Sequence, residues 1–356
     1  MICRFALLML LGLLCACSSF PRAVSRAELR DKEWVSYDGK VVPWTAWKVP
    51  EGTRLRGIVI GVHGLSGAAS DFWLLGERLP AQGYAVYSYE LRGQGKDPAV
   101  SERGDIRSAK QWLRDLETFH LLVRRKHPGV PIVWYGESLG SLICLHTAAN
   151  RLPDRRDPNG IVLASPVAGL RVTVSGFQRW LLETAAKLAP RTRFSLGELA
   201  GVDESKIQVT NHTTHGSGME ATEHHISSFT VRLLAEIGGL IDENPDAAKR
   251  LRMPVLFLGT PNDVLSSPDQ VQTLFSQVRS PKKRLLWYTR SYHLLLHDIQ
   301  REEVARDLAA WLNKRVVSPG ALLARAESSA SLPVEAKGNT SLNADARARE
   351  PAPALR

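Results

Sequence analysis

Pro131-Ile-Val-Trp-Tyr135-Gly136-Glu137-Ser138-Leu139-Gly140-Ser-Leu-Ile143-Cys-Leu145 is the stretch on which the fold turns. Its first five residues form a short apolar run with β-branched and aromatic side chains, which predicts a strand. Its last residues carry leucine and isoleucine at helical spacing, which predicts a helix over 139–150. Between the two stands Gly-x-Ser-x-Gly, with no residue left over for a loop. A strand that turns directly into a helix needs glycine on both sides of the serine, because side chains there would clash. The strain held in such a turn lifts the serine hydroxyl to the top of the sheet. Three fixed positions alone arise by chance in roughly one chain in ten of this length. The strand before and the helix after give them meaning.

Outward from this point, strands and helices alternate. Gly57–Val62 is a buried run closed by a glycine turn, and Gly83–Glu90, Ile161–Ala164, Pro254–Gly259 and Arg284–Tyr288 read as further strands. Trp44 and Trp47 mark a strand-like region that ends near Pro50. Ser108–Lys126 is expected to be a helix, with Trp112, Leu113, Leu116, Phe119, Leu122 and Val123 along one face, and Arg301–Lys314 another. This rhythm predicts the α/β class with a doubly wound, mostly parallel sheet. It lapses between Pro166 and Pro254. That interval holds an amphipathic helix (Phe177–Leu188), a polar histidine-bearing segment (Thr210–His225) and a further helix (Ile226–Ile237), so residues 167–252 read as an inserted, largely helical cap on a domain of residues 32–317. The stripe Phe177, Trp180, Leu181, Thr184 and Leu188 either lines a channel or docks the cap on the core. Residues 318–356 turn to Ala, Ser, Pro and Arg and are expected to be a disordered tail.

A serine hydroxyl is a weak nucleophile at neutral pH; it needs a general base, and the base needs an orienting carboxylate. On a strand-turn-helix elbow of this kind the partners follow in the order Ser, acid, His. Asp263 stands after the strand Pro254–Gly259 in a turn-rich segment, and His293 after Arg284–Tyr288, both at the sheet edge where α/β folds place their ligands. His297 is the rival base and Asp269 the rival acid, although Asp269 reads as a helix N-terminal carboxylate behind Pro268. His63, His120 and His127 precede the serine and have the wrong order. The chemistry also wants main-chain N–H groups for the oxyanion of a tetrahedral intermediate, and Leu65 and Leu139 are placed to supply them. The side chain of His63 is read as structural.

Taken together, His63-Gly64-Leu65-Ser66-Gly67, Arg92-Gly93-Gln94-Gly95, the elbow at Ser138, Pro254–Gly259 with Asp263, and Tyr292-His293 with Leu295 and Asp298 resemble the α/β-hydrolase superfamily. Within it they resemble the monoacylglycerol lipase/lysophospholipase group, also labelled serine aminopeptidase, over residues 34–312. The resemblance implies an enzyme of the α/β-hydrolase fold that cleaves carboxylic esters of lipid or lipid-like substrates through an acyl-enzyme on Ser138, with no cofactor. Acyl transfer or amide and peptide cleavage by the same residues is the alternative, as is a non-catalytic surface lipoprotein that keeps the fold as a scaffold. Glu90 and Gln94 depart from the Asp and His usual in that group. Ser138 in the elbow disfavours relatives with an aspartate nucleophile.

The composition excludes wholesale disorder, a fibre and a multi-span membrane protein: hydrophobic residues make up 44% and charged residues 23%. The net charge of +10 comes from clusters of at most three basic residues, which disfavours nucleic acid as a partner and suits weak attraction to an anionic membrane. Three of the four cysteines (Cys3, Cys15 and Cys17) lie in the first 17 residues, leaving Cys144 for the body of the chain, too few for a disulfide or a cysteine-based metal site. The histidines at 212, 215, 224 and 225 lack a helical metal-binding pattern, so no metal is expected. Arg4 and the apolar run Phe5–Leu14 have the form of an export signal, being too short to span a bilayer. Leu14-Cys15-Ala16-Cys17 resembles the lipobox of bacterial lipoproteins. By that resemblance residues 1–16 are a signal, Cys17 carries lipid, residues 17–31 are a tether, and Ser18 favours the outer membrane of a bacterial envelope. A plain signal leading to a secreted or periplasmic protein is the alternative.

Overall fold

The computed structural model describes residues 26–150, 157–172, 175–195, 197–198, 203–214, 217, 222 and 224–315. The signal, Cys17 and the tail lie outside them. In chain order the strands are β1 (Glu28–Leu29), β2 (Glu33–Val35), β3 (Val41–Trp47), β4 (Gly57–Val62), β5 (Tyr84–Tyr89), β6 (Ile132–Glu137), β7 (Gly160–Ala164), β8 (Arg193–Phe194), β9 (Phe229–Thr230), β10 (Val255–Gly259) and β11 (Lys283–Trp287). The helices are α1 (Trp73–Arg78), α2 (Ala109–Lys126), α3 (Leu139–Ala149), α4 (Gly176–Leu188), α5 (Val231–Arg250), α6 (Pro268–Gln277) and α7 (Arg301–Arg315).

Among the described residues, nine strands form one sheet in the order β1-β2-β3-β5-β4-β6-β7-β10-β11. From β5 to β11 every pairing is parallel, and β1 to β3 join it antiparallel. The central strands β4, β5, β6, β7 and β10 are buried at every position, as a sheet covered on both faces requires. The helices α2, α3, α5 and α6 pack one against the next, while α1 meets α7. Trp34, Tyr89 and Phe119 meet edge-on or tilted with centroids 4.6–5.4 Å apart, which locks the β2–β3 hairpin and α2 onto the sheet. The expected doubly wound fold is therefore present, and the order 5-4-6 in the sheet sets the chain reversal beside the Ser138 turn.

Two expectations need correction, and one of two open alternatives falls away. Residues 28–29 were assigned to the tether, yet they pair with β2, so the ordered sheet begins inside that segment. The helix expected over 226–237 starts only at Val231 and runs to Arg250. Ile226, Phe229 and Leu233 have helical spacing, but residues 229–230 are extended and paired with β8, and the Thr230 hydroxyl caps the helix by accepting from Leu233 N–H. Since α5 buries Leu233, Leu240, Ala247 and Ala248 and packs on α3, the second half of the interval 167–252 belongs to the core, and the cap ends near residue 230. Of the two readings of the stripe on α4, a channel wall or a docking face, the structure does not support docking. Phe177, Trp180, Leu181 and Leu188 are exposed; α4 packs along α5, with an Arg179–Asp242 ion pair at the surface between them.

Candidate active site

The elbow has the geometry its glycines imply. The strand β6 ends at Glu137, α3 begins at Leu139, and Ser138 between them has φ 54° and ψ −118°. A non-glycine residue held there is strained, and the surroundings must compensate. They do so through backbone hydrogen bonds: Ser138 N–H donates to Ala164 O at 3.0 Å, and Ser138 O accepts from both the amide and the hydroxyl of Ser141. Any Cβ on Gly140 would run into the backbone carbonyl of Val62, so α3 can start this close to β4 only with glycine at that position.

The other two sequence-picked residues arrive from loops at the same edge. His293 Nε2 lies 2.9 Å from Ser138 Oγ, and His293 Nδ1 lies 2.9 Å from Asp263 Oδ2. The second carboxylate oxygen accepts from Leu265 N–H at 2.7 Å and Ser266 N–H at 3.3 Å. All three side chains are buried. Burial of the Asp263 carboxyl works against ionisation, but the His293 charge, its hydrogen bond and the two amides outweigh it and leave the pKa below the usual value. For His293 burial pulls the pKa down, and the Asp263 carboxylate, with a smaller contribution from Glu137, lifts it above the usual value. The rivals are not part of this chain: Asp269 sits exposed in the first turn of α6, and His297 lies in the single turn 295–297 beyond the base.

Residues to which the sequence assigned no role hold these loops together. Thr260 Oγ1 donates to Ser291 O at 2.5 Å and Asn262 Nδ2 to Thr289 O at 3.0 Å, tying the acid loop to the base loop. Ser165, at the end of β7 with φ 41°, donates through its hydroxyl to the His293 carbonyl at 2.5 Å. Asp298 accepts from the amides of Tyr292, Ile299 and Asn211 and from the Asn211 side chain, which holds its pKa down against burial. Glu137 is fully buried behind the elbow; burial raises its pKa, opposed by His297 and His293, and its Oε1 has no partner among the described residues. No local pattern announces Thr260, Asn262 or Ser165, since each acts through a partner distant in sequence, while Asp298 and Glu137 stand in the sequence motifs without their contacts being legible there.

The loop after β4 faces the serine from the other side. Residues 64–67 form a turn closed by Gly67 N–H on Gly64 O at 3.2 Å, with Leu65 and Ser66 at its corners. A Cβ on Gly64 would sit 3.2 Å from Ser138 Cβ, so this backbone lies directly against the nucleophile. The Leu139 amide is the first of α3 and has no intrahelical acceptor. The side chain of His63 is structural, as the sequence suggested: Nε2 accepts from Leu91 N–H at 3.0 Å, and Nδ1–H is then left to donate to Gly64 O at 2.9 Å. The two departures from the expected motif also serve the loop, Glu90 Oε1 accepting from Ala69 N–H and Gln94 Oε1 from Ser66 N–H. Among the described residues no cluster of His, Cys, Asp and Glu could hold a metal ion.

A parallel sheet of this order, a strained serine between strand and helix, and a Ser-His-Asp chain of hydrogen bonds define an α/β-hydrolase. Residues 53–300 match the family described as serine aminopeptidase, S33, and the chain belongs to that family. A monoacylglycerol lipase of Mycolicibacterium smegmatis is 23% identical over 260 residues, covering 73% of this chain and 89% of that protein. Phospholipase YtpA of Bacillus subtilis is 23% identical over 283 residues, 77% of this chain and 100% of that one. Among solved structures, a monoacylglycerol lipase from Paleococcus ferrophilus superposes with a TM-score of 0.64 at 22% identity, over 76% of this chain and 98% of that one.

Proposed function

We propose that the protein is a serine hydrolase that cleaves carboxylic esters of single-chain lipids, of the monoacylglycerol or lysophospholipid type. The observation that carries this reading is the unbroken hydrogen-bond chain from Ser138 through His293 to Asp263. Ser138 Oγ attacks the acyl carbon as His293 Nε2 takes its proton, and Asp263 holds the imidazole in the tautomer that can accept it. The oxyanion of the tetrahedral intermediate is received by the Leu65 and Leu139 amides. The intermediate collapses with loss of the alcohol, which leaves with the proton from His293. Water, deprotonated by the same base, then attacks the acyl-enzyme and releases the fatty acid. The apolar stripe Phe177, Trp180, Leu181 and Leu188, exposed on α4, supports a lipid rather than a water-soluble substrate.

Turnover of p-nitrophenyl esters and of a monoacylglycerol is expected to fall by about 10⁴-fold or more in Ser138→Ala and in His293→Ala. Wild-type turnover in Ser138→Ala sinks the reading. The family's peptidase description favours a second reading, amide cleavage; aminoacyl p-nitroanilides hydrolysed faster than the esters would put it first. We further propose that Cys17 is lipidated and anchors the enzyme in a bacterial envelope, a reading supported by the lipobox-like sequence before it. A fatty-acid analogue fed to expressing cells should label the wild type and not Cys17→Ala; an unlabelled wild type ends that proposal.

A further inference from the structure

The turn that carries Leu65 is gripped at one residue, Ser66, from two sides. Ser66 has φ 58°, a backbone conformation that costs a serine free energy and that glycine would adopt without strain. Its amide is held by the core: Ser66 N–H donates to Oε1 of Gln94, a side chain with no exposed surface, at 2.9 Å. Its hydroxyl is held by the chain returning from the cap. Ser66 Oγ accepts from Ile226 N–H at 2.8 Å and lies 3.1 Å from His225 Nδ1. That returning chain is itself fixed, because Ile226 is buried against Gly104 and leads into β9. Ser66 is therefore the one described residue of the Gly64–Gly67 turn whose side chain is hydrogen-bonded to the cap, and it immediately follows the residue whose amide must point at the oxyanion.

We infer that Ser66 is a positioning residue: its hydroxyl transmits the seating of the cap segment 225–226 to the Leu65 amide, so that full oxyanion stabilisation requires the cap in place. This rests on the hydrolase reading above. The Ser66 amide is tied to Gln94 and its hydroxyl to the chain at 225–226, and these two anchors together fix the torsions of Leu65 and the line of its amide. Releasing Ser66 Oγ from Ile226 and His225 leaves only the Gln94 anchor, the turn tilts about it, and the Leu65 donor moves off the line to the transition-state oxygen while the acyl-binding surfaces stay as they were.

The test uses Ser66→Gly, which removes the hydroxyl and also the strain, together with Ser66→Ala, His225→Ala and the double variant Ser66→Gly/His225→Ala. Enzyme concentration is fixed by titration of reactive Ser138 with a fluorophosphonate, so that a misfolded fraction does not enter the rates. Per active site, kcat on p-nitrophenyl butyrate is expected to fall about tenfold in both Ser66 variants, less than the loss of an entire oxyanion donor, with KM within about twofold. A trifluoromethyl ketone, which forms a tetrahedral adduct on the serine, should weaken by the same factor as kcat/KM. A non-hydrolysable monoalkyl glycerol ether should bind as it does to the wild type. The double variant should be no slower than Ser66→Gly, because His225 acts through the hydroxyl already removed. Wild-type kcat in Ser66→Gly, equal weakening of the ether and the ketone, or additive losses in the double variant would each overturn the inference. Ser138→Ala is run alongside: activity remaining there defeats the hydrolase reading, whereas an inactive Ser138→Ala beside a fully active Ser66→Gly defeats only this one.

Discussion

In the proposed mechanism the protonation of His293 sets the pH at which the site can work. A general base must be neutral to take the Ser138 proton, and the Asp263 carboxylate, 2.9 Å away, stabilises the charged imidazolium more than burial opposes it. The resulting pKa lies above the ordinary histidine value of 6.5, so at any given pH more of the base is protonated and idle than in a free imidazole. The acid limb of kcat/KM is therefore expected to have its midpoint above pH 6.5. Replacing Asp263 by Asn removes the lifting charge and leaves the burial, so the midpoint should move down while kcat falls by about 10⁴-fold. Glu137→Gln should move the midpoint in the same direction by less, because Glu137 contributes the smaller part of the lift. A pH–rate profile of the three proteins decides it. A midpoint below 6.5 in the wild type, or one that rises in Asp263→Asn, contradicts the assignment of His293 as a base held by Asp263.

At the scale of elements, the guanidinium of Arg92 fastens the β2–β3 hairpin to α2, beside a hydrogen bond from Ser36 Oγ to Asp115. Arg92, in the loop after β5, forms two hydrogen bonds to Asp115 on α2 at 2.8 and 3.0 Å and two to Asp38 in the hairpin turn at 2.7 and 3.0 Å. Asp115 is buried, and burial raises its pKa in spite of Arg92. Arg92→Ala would leave that carboxylate buried with no charge partner and only the Ser36 hydroxyl to bond it, so it is expected to cost about 3–5 kcal/mol in urea unfolding. Arg92→Ala/Asp115→Leu should recover a large part by removing the stranded group. A single variant within about 1 kcal/mol of wild type would show that the hairpin is held without Arg92, by its aromatic contacts and the Ser36–Asp115 hydrogen bond. Arg92 was visible in the sequence as part of a motif, yet nothing local says that it serves packing and not chemistry; its partners lie 23 and 54 residues away. The same limit explains the misplaced start of α5. A spacing of three and four residues at Ile226, Phe229 and Leu233 is helical in form, and only the pairing with β8 shows that the first part is extended. Tertiary packing likewise carries α5 through Gly238, Gly239 and Pro245, where propensity alone would end it.

For the whole molecule, what was legible followed from strong local signals: buried strands as apolar runs, the elbow as a glycine pattern, and Asp263 and His293, which the fold brings to Ser138, as polar residues just past strand ends. The cap was legible only as a break in rhythm. Its surface chemistry depends on which face of α4 the fold turns outward, and an amphipathic stripe does not carry that information. The structure turns the stripe to solvent: Phe177 is 69% exposed, Trp180 58% and Leu188 81%. Large apolar side chains in water gain roughly 1.5–3 kcal/mol each on entering an apolar phase, so three of them amount to a substantial preference for a lipid surface. If the substrate is drawn from such a surface, the stripe should matter for lipid and not for soluble ester. In Phe177→Ser/Trp180→Ser/Leu188→Ser, turnover of p-nitrophenyl butyrate is expected to stay within about twofold of wild type, since the stripe is exposed and outside the Ser-His-Asp chain. Hydrolysis of a monoacylglycerol carried in phosphatidylglycerol vesicles should fall by about tenfold or more, and pelleting with the vesicles should fall with it. Undiminished vesicle activity would remove the lipid surface from the account. A loss that grows with acyl chain length in soluble esters, without vesicles, would instead make the stripe the wall of the acyl channel.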